Sequence, residues 1–567
     1  MTHGKLDAAV TGLGAVTGLL SGAVAIGVGQ LLGGITGPVG TPVVAVGQLA
    51  IDHAPPPVKD FAIREFGSHD KEVLVAGILV VLALFAAGIG ILAMRKLWYG
   101  LAGIGVFGAI GLLAVATRPG VKPADVLPVL AGTALAVLVM ELLVRAAAPA
   151  GASGTAAPLA SEADSSTGQP PSGMPRPVPG AGGATRPPRT PPGGSQPARR
   201  AGRPPAKAGR WPDRRRFVSI SVVSAGVTAV GVIGGRLLAE RTAVTSARKA
   251  LRLPPPVRPA PPVPAGANLN IPGLASYITP NPRFYRVDTA IVLPEVAPAS
   301  WSLRIHGMVQ KEIHLTFDDL IRMPLIEDYV TLTCVSDPVE GPYISNALWL
   351  GVSLRNLLRQ AGIKAGADQL FCRSVDGFTS GSPVQTAMDG RDSMLAVAMN
   401  SKPLPVAHGF PVRMVVPGLY GYVSACKWIT DIEVTTYQKN RAYWAQRGWS
   451  AQAPIKTESR IDVPSGNSAI PPGRTAVAGV AWAQHKGIDA VEVRVDKGAW
   501  NRARLASVAG IDTWRQWVWQ WQATPGTHIV EARATDATGY TQTALEEPTV
   551  PNGATGYPAV QVQVRNA

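Results

Sequence analysis

Cysteine is nearly absent from this chain. Cys334, Cys372 and Cys426 are its three thiols, too few for a disulfide framework, and an odd count invites a role for at least one of them as a free thiol. No P-loop, Rossmann glycine fingerprint or CxxC zinc site occurs, which sets aside the nucleotide-phosphate, dinucleotide and structural-zinc chemistries those motifs carry. CxxCH is missing as well, and no haem-binding domain is recognisable. His3, His53 and His69 are the histidines of the N-terminal half. None lies deep in an apolar run, so paired histidine ligation of a haem inside a bilayer is not expected. Charge is scarce in that half too: it is rich in Gly, Ala, Val and Leu, whereas nearly all the Trp and most of the Asp and Glu lie later.

What is present divides the chain. Its 567 residues are enough for about three or four units. Five stretches approach the roughly 20 apolar residues that cross a bilayer as helix: Thr11–Ile35, Val73–Met94, Leu97–Ala116, Val126–Val144 and Val218–Leu238. The first is Gly-rich, which membrane helices tolerate because it lets backbones approach closely. Residues 1–146 therefore read as a four-helix transmembrane region, 147–213 as a disordered Pro/Gly/Arg-rich linker, and 214–238 as a fifth transmembrane helix. Part of the net charge of +16 lies in that linker, where eight Lys/Arg outweigh three Asp/Glu, so a basic folded surface for nucleic acid does not follow from the total. Arg95–Lys96, Arg145 and the linker arginines mark a cytoplasmic side. They place the N-terminus inside and everything after the fifth run outside; Arg241, Arg248, Lys249 and Arg252 argue the other way and are outnumbered. Arg214-Arg215-Arg216-Phe217-Val218 opens the fifth run and resembles a twin-arginine signal, the address of a system that exports folded proteins. A plain cytoplasmic anchor is the alternative, and a folded cofactor-loaded cargo downstream favours export. The expected location is the cell membrane, multi-pass, with the later domains extracytoplasmic.

A Pro-rich spacer over 239–267 leads to a different kind of sequence. Residues 268–440 mix short strands with helices: SWSLRIHGMV and HLTFDDLIRMP read as a strand pair leading into a helix, SLRNLLRQAGI as an amphipathic helix stopped by Gly362, and PVRMVVPGLYG as a strand ending in a turn, which makes an α+β domain. His306 and His314 read as strand residues. Residues 441–567 are nearly all strand and turn. AVEVRVDKGAW and THIVEARATDATG alternate apolar and polar residues between Gly/Asp turns, as strands of an all-β sandwich do.

Cys334 stands in DYVTLTCVSDPVEG, after a β-branched run and at the start of a polar loop, where a thiol can reach a cofactor lying over a strand end; thiolates suit soft or high-valent transition metals. Burial as a small hydrophobe is the alternative. The wider pattern bears on this. NPRFYRVDTAIVLPEV, WSLRIHGMV, TLTCVSD, ISNALWLGVSL and HGFPVRMVVPGLYGYVSACKWI resemble, in this order, the molybdenum domain of the sulfite oxidase family. GVAWAQHKGIDAVEVRVDKGAW, DTWRQWVWQW and PNGATGYP resemble that family's C-terminal immunoglobulin-like, dimerisation-type domain. The N-terminal spans resemble a membrane-anchored bacterial form.

The resemblance implies a molybdenum-molybdopterin cofactor with Cys334 as the metal's protein ligand. Asn281, Phe284 and Tyr285 match the loop over the pterin, and His408 and Arg413 match residues that bind the pterin and its phosphate. Ser424, Ala425, Cys426 and Lys427 match the turn that holds the phosphate end through backbone N–H groups and a lysine, with Cys426 and Lys427 competing for that contact. Arg286 matches a substrate-binding arginine and Trp349 an aromatic pocket wall. The segment VSDPVEGPYISNAL between Cys334 and Trp349 departs from the pattern: it has no Arg or Lys and carries Asp337 and Glu340, an acidic loop that would repel sulfite. The family's pocket tyrosine has no clear match, and Thr379 falls near it. The implied activity is transfer of an oxygen atom and two electrons at a sulfur or nitrogen centre of a small-molecule substrate. A reductase of S-oxides or N-oxides and a cofactor-free extracytoplasmic binding module are the alternatives. Expected partners are the lipid bilayer, a separate cytochrome or quinone-linked electron carrier and a second copy of the chain.

Overall fold

The computed structural model describes residues 3–36, 40–55, 58, 70–118, 121–147, 214–240 and 243–565. The expected linker over 147–213 lies outside them except for Ala147. Six helices come first: α1 (His3–Thr36), α2 (Pro42–His53), α3 (Asp70–Arg95), α4 (Leu97–Ala116), α5 (Leu127–Ala147) and α6 (Arg214–Glu240). Five stretches are long and apolar enough to cross a membrane: Val10–Thr36, Glu72–Arg95, Leu97–Ala116, Pro123–Ala147 and Arg215–Gly235. They coincide with the five apolar runs. Helix α2 was not anticipated. At 12 residues it is well short of the length by which a spanning segment is recognised.

Glycine lets α1 sit at the centre of this bundle. Added Cβ atoms on Gly18 and Gly90 would collide with the facing backbones at Ala86 and Gly14, and Gly231 likewise abuts the Gly27 carbonyl. Such close backbone approach is available only to residues without a side chain.

Helix α7 (Ala243–Ala250) follows α6 and is already part of the mixed domain. Val244 is buried, Arg248 donates through Nε to the Leu404 carbonyl (2.6 Å) and through Nη2 to that of Pro403 (2.8 Å). The Pro-rich segment after it is strapped down as well: Val257 N–H donates to Leu325 O and Glu327 N–H to Arg258 O, both at 2.9 Å. The expected spacer over 239–267 is thus largely domain surface. Proline keeps it extended, and the few N–H groups it retains find partners on a sheet edge.

The mixed domain contains β1 (Ser302–Gly307), β2 (Ile313–Thr316), α8 (Phe317–Arg322), β3 (Leu325–Thr333), β4 (Ile344–Ser353), α9 (Leu354–Ala361), β5 (Gln369–Ser374), β6 (Thr379–Pro383), α10 (Val384–Met388), β7 (Met394–Met399), β8 (Lys402–Pro403), β9 (Arg413–Val415), α11 (Gly421–Ser424) and β10 (Ile429–Thr435). One sheet runs β2-β1-β10-β5-β6; the other runs β3-β4-β7-β8, with β9 paired to β7. The α9 boundaries follow from local chemistry. Ser353 caps the first turn by accepting from Asn356 N–H, and Gly362 ends the helix at φ +69°, a left-handed conformation that glycine adopts without strain. Trp301, Ile305, Leu354, Leu358 and Cys372 belong to one buried core.

The last part contains β11 (Glu458–Val463), β12 (Ser468–Ile470), β13 (Gly473–Trp482), β14 (Ile488–Val495), β15 (Asn501–Arg502), β16 (Arg504–Leu505), β17 (Arg515–Ala523), β18 (Gly526–Asp536) and β19 (Ala559–Val564). They form two sheets, β11-β13-β17-β16 and β12-β19-β18-β14-β15. Alternate residues of both face a shared core that includes Val477, Trp517, Val493, Ala532 and Val562, the arrangement of a sandwich. This unit braces β3: Thr331 N–H donates to Asp512 O, and Trp514 N–H donates to Thr331 Oγ1 (2.8 Å).

Candidate cofactor and active site

Strand β3 ends at Thr333, and Cys334 begins the turn. Its N–H donates to Tyr343 O (2.9 Å), and its carbonyl accepts from Asp337 N–H (3.2 Å). The thiol is 8% exposed, and burial pushes it up to about 11. Left alone it is protonated; a metal ion bound there would displace the proton, because only the thiolate ligates. Burial, and then the neighbouring Cys334, also holds the Tyr285 phenol well above its ordinary value, so those two groups face one another.

Opposite the thiol lies a cradle built from three distant segments. Phe284 stacks on Tyr285 (centroids 5.5 Å apart) and meets Trp349 and His408 edge-on at 5.6 and 5.4 Å. Tyr285 N–H donates to Ser345 Oγ, fixing this segment to β4. Asn281 donates to Met399 O and accepts from Asn400. Arg413, on β9, lies with its guanidinium carbon 5.0 Å from the Trp349 ring centroid. Its two terminal nitrogens reach the carbonyls of His408 (3.2 Å) and Ala425 (3.4 Å), and its Nε has no partner. Among the described residues no carboxylate pairs with it, though it is 4% exposed. Burial lowers its pKa to about 10. A buried cation without a counter-charge is costly by several kcal/mol, and an anion at this position removes the cost. His408 is held neutral. Burial, then the charges of Arg413 and Lys427, bring it down to about 3.

The turn between His408 and Arg413 depends on Gly409. At φ +105° its Cβ would lie 3.0 Å from the Arg413 Cβ and 3.1 Å from the Lys427 Cβ. Lys427 donates to Asp288 (2.9 Å) and Ala407 O (3.3 Å). Asp288 also accepts from Arg286 Nε at 2.9 Å, so the two cations share one carboxylate.

Several expectations need revision. The Ser424 and Ala425 amides are occupied by Tyr420 O and Gly421 O within α11, and Ser424 Oγ donates to Leu419 O. A one-turn helix has taken up the N–H groups expected to face a phosphate. Cys426 is fully buried in the core, so Lys427 is the member of that pair turned toward the cradle. Trp349 is 0% exposed and donates to Val330 O; it supports Arg413 from beneath and is not an open wall. The acidic loop does not face outward from the metal position. Asp337 accepts from Tyr343 N–H (2.8 Å), and Glu340 accepts from Ile461 N–H of β11 (3.1 Å). Burial raises both carboxyls to about 7. Arg460 closes this junction by donating to Gly341 O. Thr379 accepts from Tyr443 N–H, and the ring beside it is Phe378, 5.8 Å from Tyr443.

The sequence reading missed Asp288, Asp376, Phe378 and Tyr443. Asp288 was detectable in principle: two residues from Arg286 in an extended segment, it falls on the same face. The others come together only through folding.

Residues 290–444 match the family model described as the oxidoreductase molybdopterin binding domain. The chain is 30% identical to the sulfite oxidase of Gallus gallus over 293 residues, covering 44% of this chain and 63% of that one; it thus spans less than two thirds of that relative's length. It is 31% identical over 149 residues to an uncharacterized oxidoreductase of Bacillus subtilis, covering 26% of this chain and 72% of that one. The solved sulfane dehydrogenase SoxCD of Paracoccus pantotrophus overlaps 51% of this chain and 84% of its own, with a TM-score of 0.43 and 24% identity. The donor set fits the cofactor that the family model implies: a thiol for a metal, and a buried arginine with no carboxylate among the described residues for an anionic tail. The chain belongs to the sulfite oxidase family of molybdopterin-dependent oxidoreductases, enzymes whose cofactor is molybdenum-molybdopterin.

Proposed function

We propose that this protein is a membrane-anchored enzyme that transfers an oxygen atom and two electrons at a sulfur centre, or at a nitrogen centre, of a small polar substrate. The observation that carries this is the pairing of the Cys334 thiol at a strand end with Arg413, a buried cation that has no carboxylate. Cys334 would ligate the molybdenum. Asn281, Tyr285, His408, Arg413 and Lys427 would hold the pterin and its phosphate, with Phe284 and Trp349 packed behind them. Cofactor binding supplies the two-electron oxygen-atom chemistry. The chain's own groups bind and orient: Arg413 neutralises the buried anion, neutral His408 offers a hydrogen bond without adding charge, and Arg286 is held by Asp288 at the rim. Asp337 and Glu340 each accept a backbone N–H, and burial raises both carboxyls to about 7, which lessens the repulsion argued against an anionic substrate and supports the sulfite-oxidase-like reading over an S-oxide or N-oxide reductase.

The remaining parts follow from the same reading. Residues 1–146 and 214–238 would anchor the enzyme, 268–440 would carry the cofactor, and 441–567 would be the immunoglobulin-like, dimerisation-type unit. Electrons would pass to a separate cytochrome or quinone-linked partner, and the catalytic part would lie outside the cytoplasm. The test is metal analysis of purified protein, with pterin fluorescence of the released cofactor and turnover of a sulfite and sulfoxide panel with an artificial mediator. One molybdenum per chain and sulfite oxidation are expected. Folded protein without molybdenum under replete conditions would overturn the proposal.

A further inference from the structure

The helical region does more than stand beside the catalytic domain. Gln48 on α2 accepts from Ile291 N–H at 3.4 Å, and Gly47 approaches the Ile291 side chain so closely that an added Cβ would lie 2.8 Å from its Cδ1. Between the two regions lies a cavity of about 220 Å³. Gln48, His53 and Arg118 line it from the helical side, and Thr289, Asp376 and Phe378 from the catalytic side. At about 30 Å³ per water, it has room for a small polyatomic ion and its remaining waters.

Two features connect this cavity to the cofactor cradle. Thr289 directly follows Asp288, which receives both Lys427 and Arg286. Asp376, which accepts from Phe378 N–H (3.1 Å), lies close enough to Asp288 and Lys427 to feel their charges. The cavity lining therefore lies one residue from the carboxylate that holds Lys427 and Arg286. Arg118 closes the end of α4: its backbone N–H donates to Val115 O at 3.0 Å, as Thr117 N–H does to Leu113 O. The loop between Cys334 and Trp349 contains no Arg or Lys, so that loop supplies no cation to a substrate.

We propose that the helical region completes the substrate site: the cavity is an entry vestibule for a small oxyanion, and Arg118 is its docking cation. This rests on the catalytic reading above. The Asp376 carboxylate faces the same space, but burial raises its pKa, which reduces its opposition to an anion. The membrane-embedded part thereby becomes a determinant of specificity as well as an anchor.

The test uses the full-length protein with sulfate as the probe. All three native cysteines are buried, so Thr117→Cys, at an exposed position lining the cavity, provides an accessible thiol for a neutral maleimide. Sulfate, at ionic strength matched with chloride, should slow labelling about fivefold, an effect of the size expected from one ion pair. Adding Arg118→Gln should abolish the protection, and Arg118→Lys should keep most of it. Leu545→Cys, exposed on the sandwich, should show none. No protection at Thr117→Cys, or equal protection with Arg118→Gln, overturns the proposal. In molybdenum-loaded enzyme Arg118→Gln should raise KM for sulfite about fivefold and leave kcat within about twofold; an unchanged KM also overturns it. Loaded wild-type protein that binds sulfate at the vestibule but never oxidises sulfite would refute the catalytic reading and leave the vestibule standing.

Discussion

At the residue scale the site is defined by Arg413, a buried cation without a carboxylate among the described residues, and by the Cys334 thiol, which can ligate a metal only as the thiolate. Serine has nearly the volume of cysteine, so Cys334→Ser should leave packing intact, and Arg413 and Lys427 should still retain part of the cofactor. Turnover should nevertheless fall to background, because no hydroxyl reproduces thiolate–metal bonding. Cys372→Ser is the control. Cys372 lies wholly buried on β5, paired with Ile432 and Ser380 on the flanking strands, so its loss should affect stability and leave turnover per molybdenum unchanged. Wild-type turnover in Cys334→Ser would refute the assignment. His408 makes a second prediction. Its folded pKa of about 3 lies below the ordinary 6.5, so the fold favours the neutral ring. That contribution is fully present above about pH 6.5 and is lost as pH falls toward 3. Between pH 7 and about pH 4.5 the thermal midpoint of the wild type should therefore fall further than that of His408→Gln. Parallel declines would show that the ring is not held neutral.

At the scale of elements the decisive pieces are short. The turn 408–413 brings His408, Arg413 and, across it, Lys427 into one cradle, and it can close only with glycine at position 409. Gly409→Ala should destabilise the turn by about 1–3 kcal/mol, the usual cost of an unfavourable backbone region, and should crowd both cations. The expected result is a lower molybdenum-to-protein ratio at near-normal expression, measured by metal analysis after gel filtration. Full occupancy would mean that the neighbours shift to accept the methyl group. Helix α11 acts in the opposite sense: by hydrogen-bonding the Ser424 and Ala425 amides internally, it removes them from the set available to a phosphate.

At the scale of the whole molecule, the proposed orientation rests on five spanning-length helices with the mixed domain following the last of them. An extracytoplasmic reporter fused after Ala567 should be active, and one fused near Gly193 silent; the reverse pair of results would invert the topology. Changing Arg214 and Arg215 together to Lys keeps the positive charge and so preserves ordinary helix anchoring. It should still block delivery of the folded catalytic domain, measured as loss of its protease accessibility from outside the cell. Normal exposure of the domain in that variant would rule out a twin-arginine route.

The amino-acid sequence by itself determined the spanning helices, the mixed domain, the β sandwich and the position of Cys334. Each of these is encoded locally: a run of apolar residues, a period of two between turns, or an ordered set of short motifs that survives without knowledge of contacts. Tertiary structure decided which way side chains at strand ends and in loops point. Cys426 turns into the core and Lys427 toward Asp288, although they are neighbours in sequence. Asp337 and Glu340 look like an acidic rim and instead accept from backbone N–H groups, Asp337 from Tyr343 in its own loop and Glu340 from Ile461 of β11. Trp349 lies under Arg413 because β4, β7 and β9 stack them across one sheet. Helix α2, too short to register as a span, helps line the cavity of about 220 Å³ beside the mixed domain, where Ile291 packs against Gly47. The deciding quantity is what covers the residue, and for Lys427, Glu340, Trp349 and α2 that depends on segments more than 40 positions away, whose arrival no local pattern records.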